Sequence, residues 1–155
     1  MLISFFDANG IVHKEFVPPG DTVNQQFYLQ VLKRLRDSVW KKRPEMWSSG
    51  NWFLHHDNAP AHTALSVQQF LAKNNMTVIH HPPYSPDLAP CDFFLFSHMK
   101  RQMKGKRFAD VTEVKKKTLE VLNNISTKEF QKCFQHWEKR WYKCIESKEE
   151  YFEGD

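Results

Sequence analysis

The stretch NWFLHHDNAPAHTALSVQQFLAKNNMTVIHHPPYSPDLAPCDFFLF, residues 51–96, sets the architecture expected of this chain. Trp52 to Leu54 is a short apolar run that predicts a strand, and it ends in His55, His56 and Asp57. Ala64, Val67, Phe70 and Leu71 recur at helical spacing, so a helix follows. Met76 to His80 predicts a second strand. The proline-rich turn PPYSPDLAP then delivers Asp92 to the front of another apolar run. Strand, helix and strand in succession predict an α/β fold, and such a fold can bring two element-terminal carboxylates together.

Outward from this stretch, the N-terminal run LISFF predicts a strand, closed by a tight Asn9-Gly10 turn onto a returning strand from Ile11 to Val17. A hairpin alone is only marginally stable, so a further partner strand is expected. Thr22 or Asn24 caps a helix that runs to about Trp40, with Phe27, Val31, Leu35 and Val39 as its buried stripe. Glu45 to Gly50 reads as a loop. Asp92 to about Lys104 reads as a helix opened by Pro90 and Cys91 and broken by Gly105. Asp110 with Glu113 and Ser126 with Glu129 have the spacing of capping boxes. The first opens a helix carrying Val111, Val114, Leu119 and Leu122. The second opens a helix striped by Phe130, Phe134, Trp137, Trp141 and Ile145, a pattern that core packing explains. The closing EEYFEGD is polar and reads as loose, except where Tyr151 and Phe152 dock.

A length of 155 residues suits one domain, and 41% apolar residues can fill its core. A net charge of +4 suits a polyanionic partner without demanding one. Asp7 ends the first apolar run too early for a secretory signal, and no run reaches the length of a membrane span. Cys91, Cys133 and Cys144 form no metal-like pair and read as reduced thiols of an intracellular protein.

Two ionised carboxylates held close repel unless a hard cation sits between them, and magnesium takes oxygen ligands while keeping several waters. Asp57 and Asp92 therefore have two readings on residues alone: a metal site, or ordinary cap and turn acids. His55, His56, His62, His80 and His81 crowd one region, but their spacing follows no zinc-finger pattern. His56 and His62 read better as hydrogen-bonding or proton-transferring neighbours of Asp57. Asn58 suits a loop-holding hydrogen bond, and Pro60 suits a first helical turn. Lys100, Arg101, Lys104, Lys106 and Arg107 form a basic run with no acid between them. Such a run is either a solvated helix face or a contact surface for DNA phosphates.

HHDNAPAH at 55–62, YSPDLAP at 84–90 and CDFFLF at 91–96 resemble the signature of the mariner-family transposases, within the Tc1/mariner superfamily. The 34 residues between Asp57 and Asp92 match the family's spacing between its second and third catalytic aspartates. VHKEFVPPG at 12–20 and the terminal YFEGD extend the resemblance over essentially the whole chain.

The resemblance implies an RNase H-like catalytic domain over residues 1–155, a mixed sheet flanked by helices. It implies Asp57 and Asp92 as catalytic ligands of Mg2+ or Mn2+. It further implies DNA as partner, with cleavage at terminal inverted repeats and joining to a TA target, a homodimer in the intact protein, and work in the nucleus. Some domesticated relatives carry Asn at the third catalytic position, whereas this chain keeps Asp92. The family's first catalytic Asp lies on the first core strand, upstream of LISFF. That strand and the helix-turn-helix modules are expected outside this sequence, and Asp7 corresponds to the hairpin instead. The chain alone is therefore expected to show little strand transfer. The alternative is a non-catalytic remnant that binds DNA or protein.

Overall fold

The computed structural model describes residues 1–57, 59–79 and 88–153, with side chains to residue 146. Asn58, His80, His81, the turn to Asp87 and the docking of Tyr151 and Phe152 lie outside the described residues. The chain divides into two compact units. The first comprises 1–6 and 11–84, the second 7–10 and 85–155.

In the first unit, α1 (Gln25–Lys42) is the central element. Asn24 caps it, its side chain accepting from the Phe27 amide at 2.8 Å. Lys41 and Lys42 sit in the last turn, where cations complement the helix dipole. The buried face is Tyr28, Val31, Leu32, Leu35 and Val39. Phe27 is only partly buried, so the true stripe adds Tyr28 and Leu32, broader than a four-residue repeat suggests. Residues 44–49 form a short helix, α2 (Pro44–Ser49), rather than a loop. Pro44 occupies its first turn, where a missing N–H costs nothing. Gly50 closes it at φ 67°, with its N–H on the Met46 carbonyl.

Strands β1 (Leu2–Asp7) and β2 (Gly10–Phe16) form the expected hairpin. The turn is tight, as expected, with Gly10 at positive φ, 122°. The Asn9 amide donates to Asp7 Oδ1 at 2.9 Å, an Asx-type closure. Arg34 donates to Glu15 on β2 bidentately through Nε and Nη2, at 2.9 and 2.6 Å, and His13 bridges Glu15 to Ser38. The Arg34 contact holds the Glu15 carboxyl below its usual range.

Strand β3 (Phe53–His55) pairs in parallel with β4 (Thr77–Ile79), with Leu54 opposite Val78. Parallel neighbours need a crossover. Here it is α3 (Pro60–Thr63) and α4 (Leu65–Lys73), split at Ala64, which adopts ψ 145° where one continuous helix was expected. Leu54, Val67, Leu71 and Met76 join the α1 face and Val12 in one core. Among the described residues the strands form two separate two-stranded sheets, where a single mixed sheet was expected.

The second unit begins its described helices with a π-helical turn, Cys91–Phe96, continuing as α5 (Ser97–Met103). Helices α6 (Val111–Asn123) and α7 (Thr127–Glu153) follow. Both caps form as expected. Asp110 accepts from the Glu113 amide, and Ser126 and Glu129 bond reciprocally. The buried face of α6 includes Leu122 and part of Leu119, as expected, but not Val111 or Val114. Val111 is 62% exposed and Val114 36%, while Thr118, Val121 and Leu122 are buried. Thr118 fits an interior position because its hydroxyl donates to the Val114 carbonyl at 2.8 Å. Phe130 and Cys133 are buried on α7, and Phe94 meets Phe130 edge-on at 5.6 Å. Trp137 Nε1 donates to the Leu88 carbonyl at 2.7 Å. Ile145, expected in the stripe, is 48% exposed. Helix α7 also runs to Glu153, through residues expected to be loose.

The three cysteines are free, and burial pushes the Cys133 thiol up to about 12. Among the described residues no helix is long and apolar enough to cross a membrane.

Candidate functional site

Asp57 stands two residues past the end of β3, just before α3 begins. Its Oδ1 accepts from the Ala59 amide at 3.0 Å, which turns the chain into the helix. His62, on α3, brings its Nδ1 to 2.7 Å from the same oxygen. That nitrogen is shielded from solvent and makes a close polar contact without in-line hydrogen-bond geometry. The His62 contact and the Ala59 amide outweigh partial burial and hold the Asp57 carboxyl down at about 2. Asp57 is therefore ionised at neutral pH.

Behind Asp57 lies an aromatic stack that the sequence did not announce. Tyr28, on the buried face of α1, shares a hydrogen bond of 2.8 Å between its hydroxyl and His56 Nδ1. Its ring stacks on His62 with centroids 4.0 Å apart, and His56 and His62 stack at 5.1 Å. Burial, reinforced by neighbouring His62, pushes His56 down to about 4, so its ring is neutral at pH 7. The overlooked signal was Tyr28 itself. A tyrosine on a helix's buried face must find a polar partner for its hydroxyl.

A hard divalent cation fits this donor set. Asp57 is ionised and its side chain is 55% exposed. Among the described residues both of its contacts fall on Oδ1, which leaves Oδ2 to face a cation. No three His, Cys, Asp or Glu side chains among the described residues cluster closely enough to hold a metal alone.

Asp92 belongs to the second unit and Asp57 to the first. Asp92 lies exposed in the first turn of the π-helical segment, where an ordinary helix was expected. The wide turn is tied by the Ser97 hydroxyl, which donates to the Asp92 carbonyl at 3.0 Å. π-Helical turns occur frequently at functional sites. Lys100 and Arg101 end α5, and Lys104, Lys106 and Arg107 follow; all five are exposed. Lys117 of α6 lies beside Lys106 and lowers its pKa through a side-chain hydrogen bond and, next, like-charge repulsion, a neighbour not foreseen from the chain order.

A family described as DDE superfamily endonuclease matches residues 2–115. The chain belongs to the DDE superfamily endonucleases. Within that family it stands with the mariner transposases. It is 35% identical over 154 residues to the mariner Mos1 transposase of Drosophila mauritiana, covering 99% of this chain and 45% of the relative. It is 29% identical over 153 residues to the human histone-lysine N-methyltransferase SETMAR, covering 99% of this chain and 22% of that protein. The chain thus spans less than half the length of these curated relatives. The Mos1 transposase catalytic domain solved with raltegravir and Mg superposes with a TM-score of 0.88 at 35% identity, covering 94% of this chain and 73% of that one. A pre-cleavage Mos1 transpososome gives a TM-score of 0.89 at 35% identity, covering 94% and 43%. The chain therefore has the α/β architecture of a mariner catalytic domain.

Proposed function

We propose that this chain is part of the catalytic domain of a mariner-type DNA transposase, and that Asp57 and Asp92 are carboxylate ligands of Mg2+ or Mn2+. One observation carries the reading: in a DDE superfamily endonuclease, Asp57 is held ionised just past a strand, and among the described residues its contacts fall on Oδ1 alone. A divalent cation, when bound, supplies activation of an attacking oxygen and stabilisation of the departing 3′ oxygen. His62 and the Ala59 amide orient the carboxylate, His56 supports it from behind, and Asn58 is assigned to the site from its place in the sequence motif alone. Lys100, Arg101, Lys104, Lys106 and Arg107 hold DNA phosphates, a sequence-independent and salt-dependent attraction. The substrates are transposon ends and a TA target, the intact enzyme is a homodimer, and the compartment is the nucleus. Kinship with Mos1, which has been solved as a paired-end complex with Mn and as a strand transfer complex, supports DNA as the partner.

The family chemistry needs a third carboxylate beyond Asp57 and Asp92. With those two alone the cation is held more weakly and placed less well, so the 155-residue chain shows little strand transfer. Metal-dependent nicking of duplex DNA tests this. Near-background activity is expected, and robust cleavage abolished by Asp57→Ala overturns the impairment while upholding the site. Manganese titration tests the ligand directly: Asp57→Ala should remove binding, and unchanged affinity refutes the assignment.

The exposed basic run, with Lys117 brought to it, favours a second reading as a DNA-binding remnant. Affinity for duplex DNA that falls steeply with salt supports it. No affinity at low ionic strength removes it.

A further inference from the structure

We propose that Tyr28 is a positioning residue with two separable actions: its hydroxyl donates to His56 Nδ1 and keeps the His56 proton on Nε2, and its ring, through His62, seats the Asp57 carboxylate. The second action rests on Asp57 being a metal ligand; the first does not.

The hydroxyl contact is 2.8 Å and lies on a side chain only 2% exposed. A buried hydroxyl left without a partner costs about 1–3 kcal/mol, so this contact is strongly held. An imidazole nitrogen lone pair is a better acceptor than a phenol oxygen, so the phenol O–H donates. With Nδ1 accepting, the proton of the neutral ring resides on Nε2. His56 then has no lone pair to offer a cation. It presents an N–H donor, suited to an anionic oxygen such as that of a phosphodiester. The histidine beside Asp57 is thereby a hydrogen-bond donor and not a metal ligand.

The ring acts along a different line. Tyr28 and His62 stack at 4.0 Å with planes 29° apart, and His56 and His62 at 5.1 Å with planes 16° apart. His62 is thus confined from the side while its Nδ1 reaches Asp57 Oδ1. A carboxylate oriented by a confined neighbour presents its other oxygen in one direction, the role that supporting partners play at metal sites.

Nitrogen-15 NMR of the histidine rings and manganese titration of the 155-residue chain separate the two actions. In the wild-type chain His56 should show a protonated Nε2 and a bare Nδ1. Tyr28→Phe keeps the ring and removes the hydroxyl. It should redistribute the His56 tautomers while leaving manganese affinity within about twofold, whereas Tyr28→Leu should weaken manganese by about tenfold. His62→Gln removes the stacked ring while leaving every α1 side chain in place and should weaken manganese comparably, which covers a Tyr28→Leu chain that fails to fold. A wild-type His56 protonated on Nδ1, or tautomers unmoved by Tyr28→Phe, overturns the first action. Wild-type manganese affinity in His62→Gln or in a folded Tyr28→Leu overturns the second. If the wild-type chain itself binds no manganese, the assignment of Asp57 as ligand and the second action fall together, and the tautomer result still decides the first.

Discussion

Asp57 and Asp92 are positioned by opposite means. Asp57 lies on a short connection and is held by side chains: His62 contacts it, Tyr28 braces His62, and the Ala59 amide completes the grip. Asp92 lies on a helical turn and is carried by a π-helical segment that buries Leu95 completely and is tied by the Ser97 hydroxyl. The first arrangement controls the charge of the carboxylate. The second controls where a carboxylate is carried. Side-chain grips can be removed one at a time, whereas a backbone placement yields only when the packing beneath it yields.

The largest expected effect follows from that contrast. Leu95→Ala should cost about 2–5 kcal/mol, because the cavity lies directly under the turn that carries Asp92. Denaturant unfolding checks this; a loss well under 1 kcal/mol would mean the turn does not depend on its core anchor. The next effect concerns charge. The Asp57 carboxyl stands at about 2 against an ordinary value of 3.8. A depressed folded pKa contributes stability that is fully present above the unfolded value and is lost as pH falls from about 4 through about 2. Because the side chain is 55% exposed, screening limits the contribution to about 1 kcal/mol. In His62→Ala the carboxyl should titrate nearer 3.8, which carbon-13 NMR reads directly. An unmoved titration would assign the shift to the Ala59 amide. The smallest effect is expected at the exposed basic run. Lys106→Ala should reduce the slope of log affinity for DNA against log salt by about one. An unchanged slope would return Lys106 to an ordinary solvated surface.

Local chemistry was legible wherever a few neighbouring residues decide the outcome. Asn24, Asp110 and Ser126 all cap the helices assigned to them, because a cap is a hydrogen bond spanning three residues. The end of α5 before Gly105 is equally local. The candidate site was legible only in part. Asp57 and its histidines stood out, but Tyr28 lies 28 residues from His56 and looks, in one dimension, like another core aromatic. The face of α6 was misjudged in part, for a related reason. Apolar Val111 and Val114 near its capped end are exposed, while Thr118 is interior because it satisfies its own hydroxyl.

Kinship, the α/β character and the residues that carry the chemistry follow from the order of amino acids, since motif spacing and short-range capping need no knowledge of what packs against what. The neutrality of His56 and the stack that joins it to α1 were decided only by folding, whereas the depressed Asp57 carboxyl owes its shift to His62 and Ala59, close neighbours along the chain. The first two depend on burial and on through-space contact between segments distant along the chain, and neither is encoded in any local stretch.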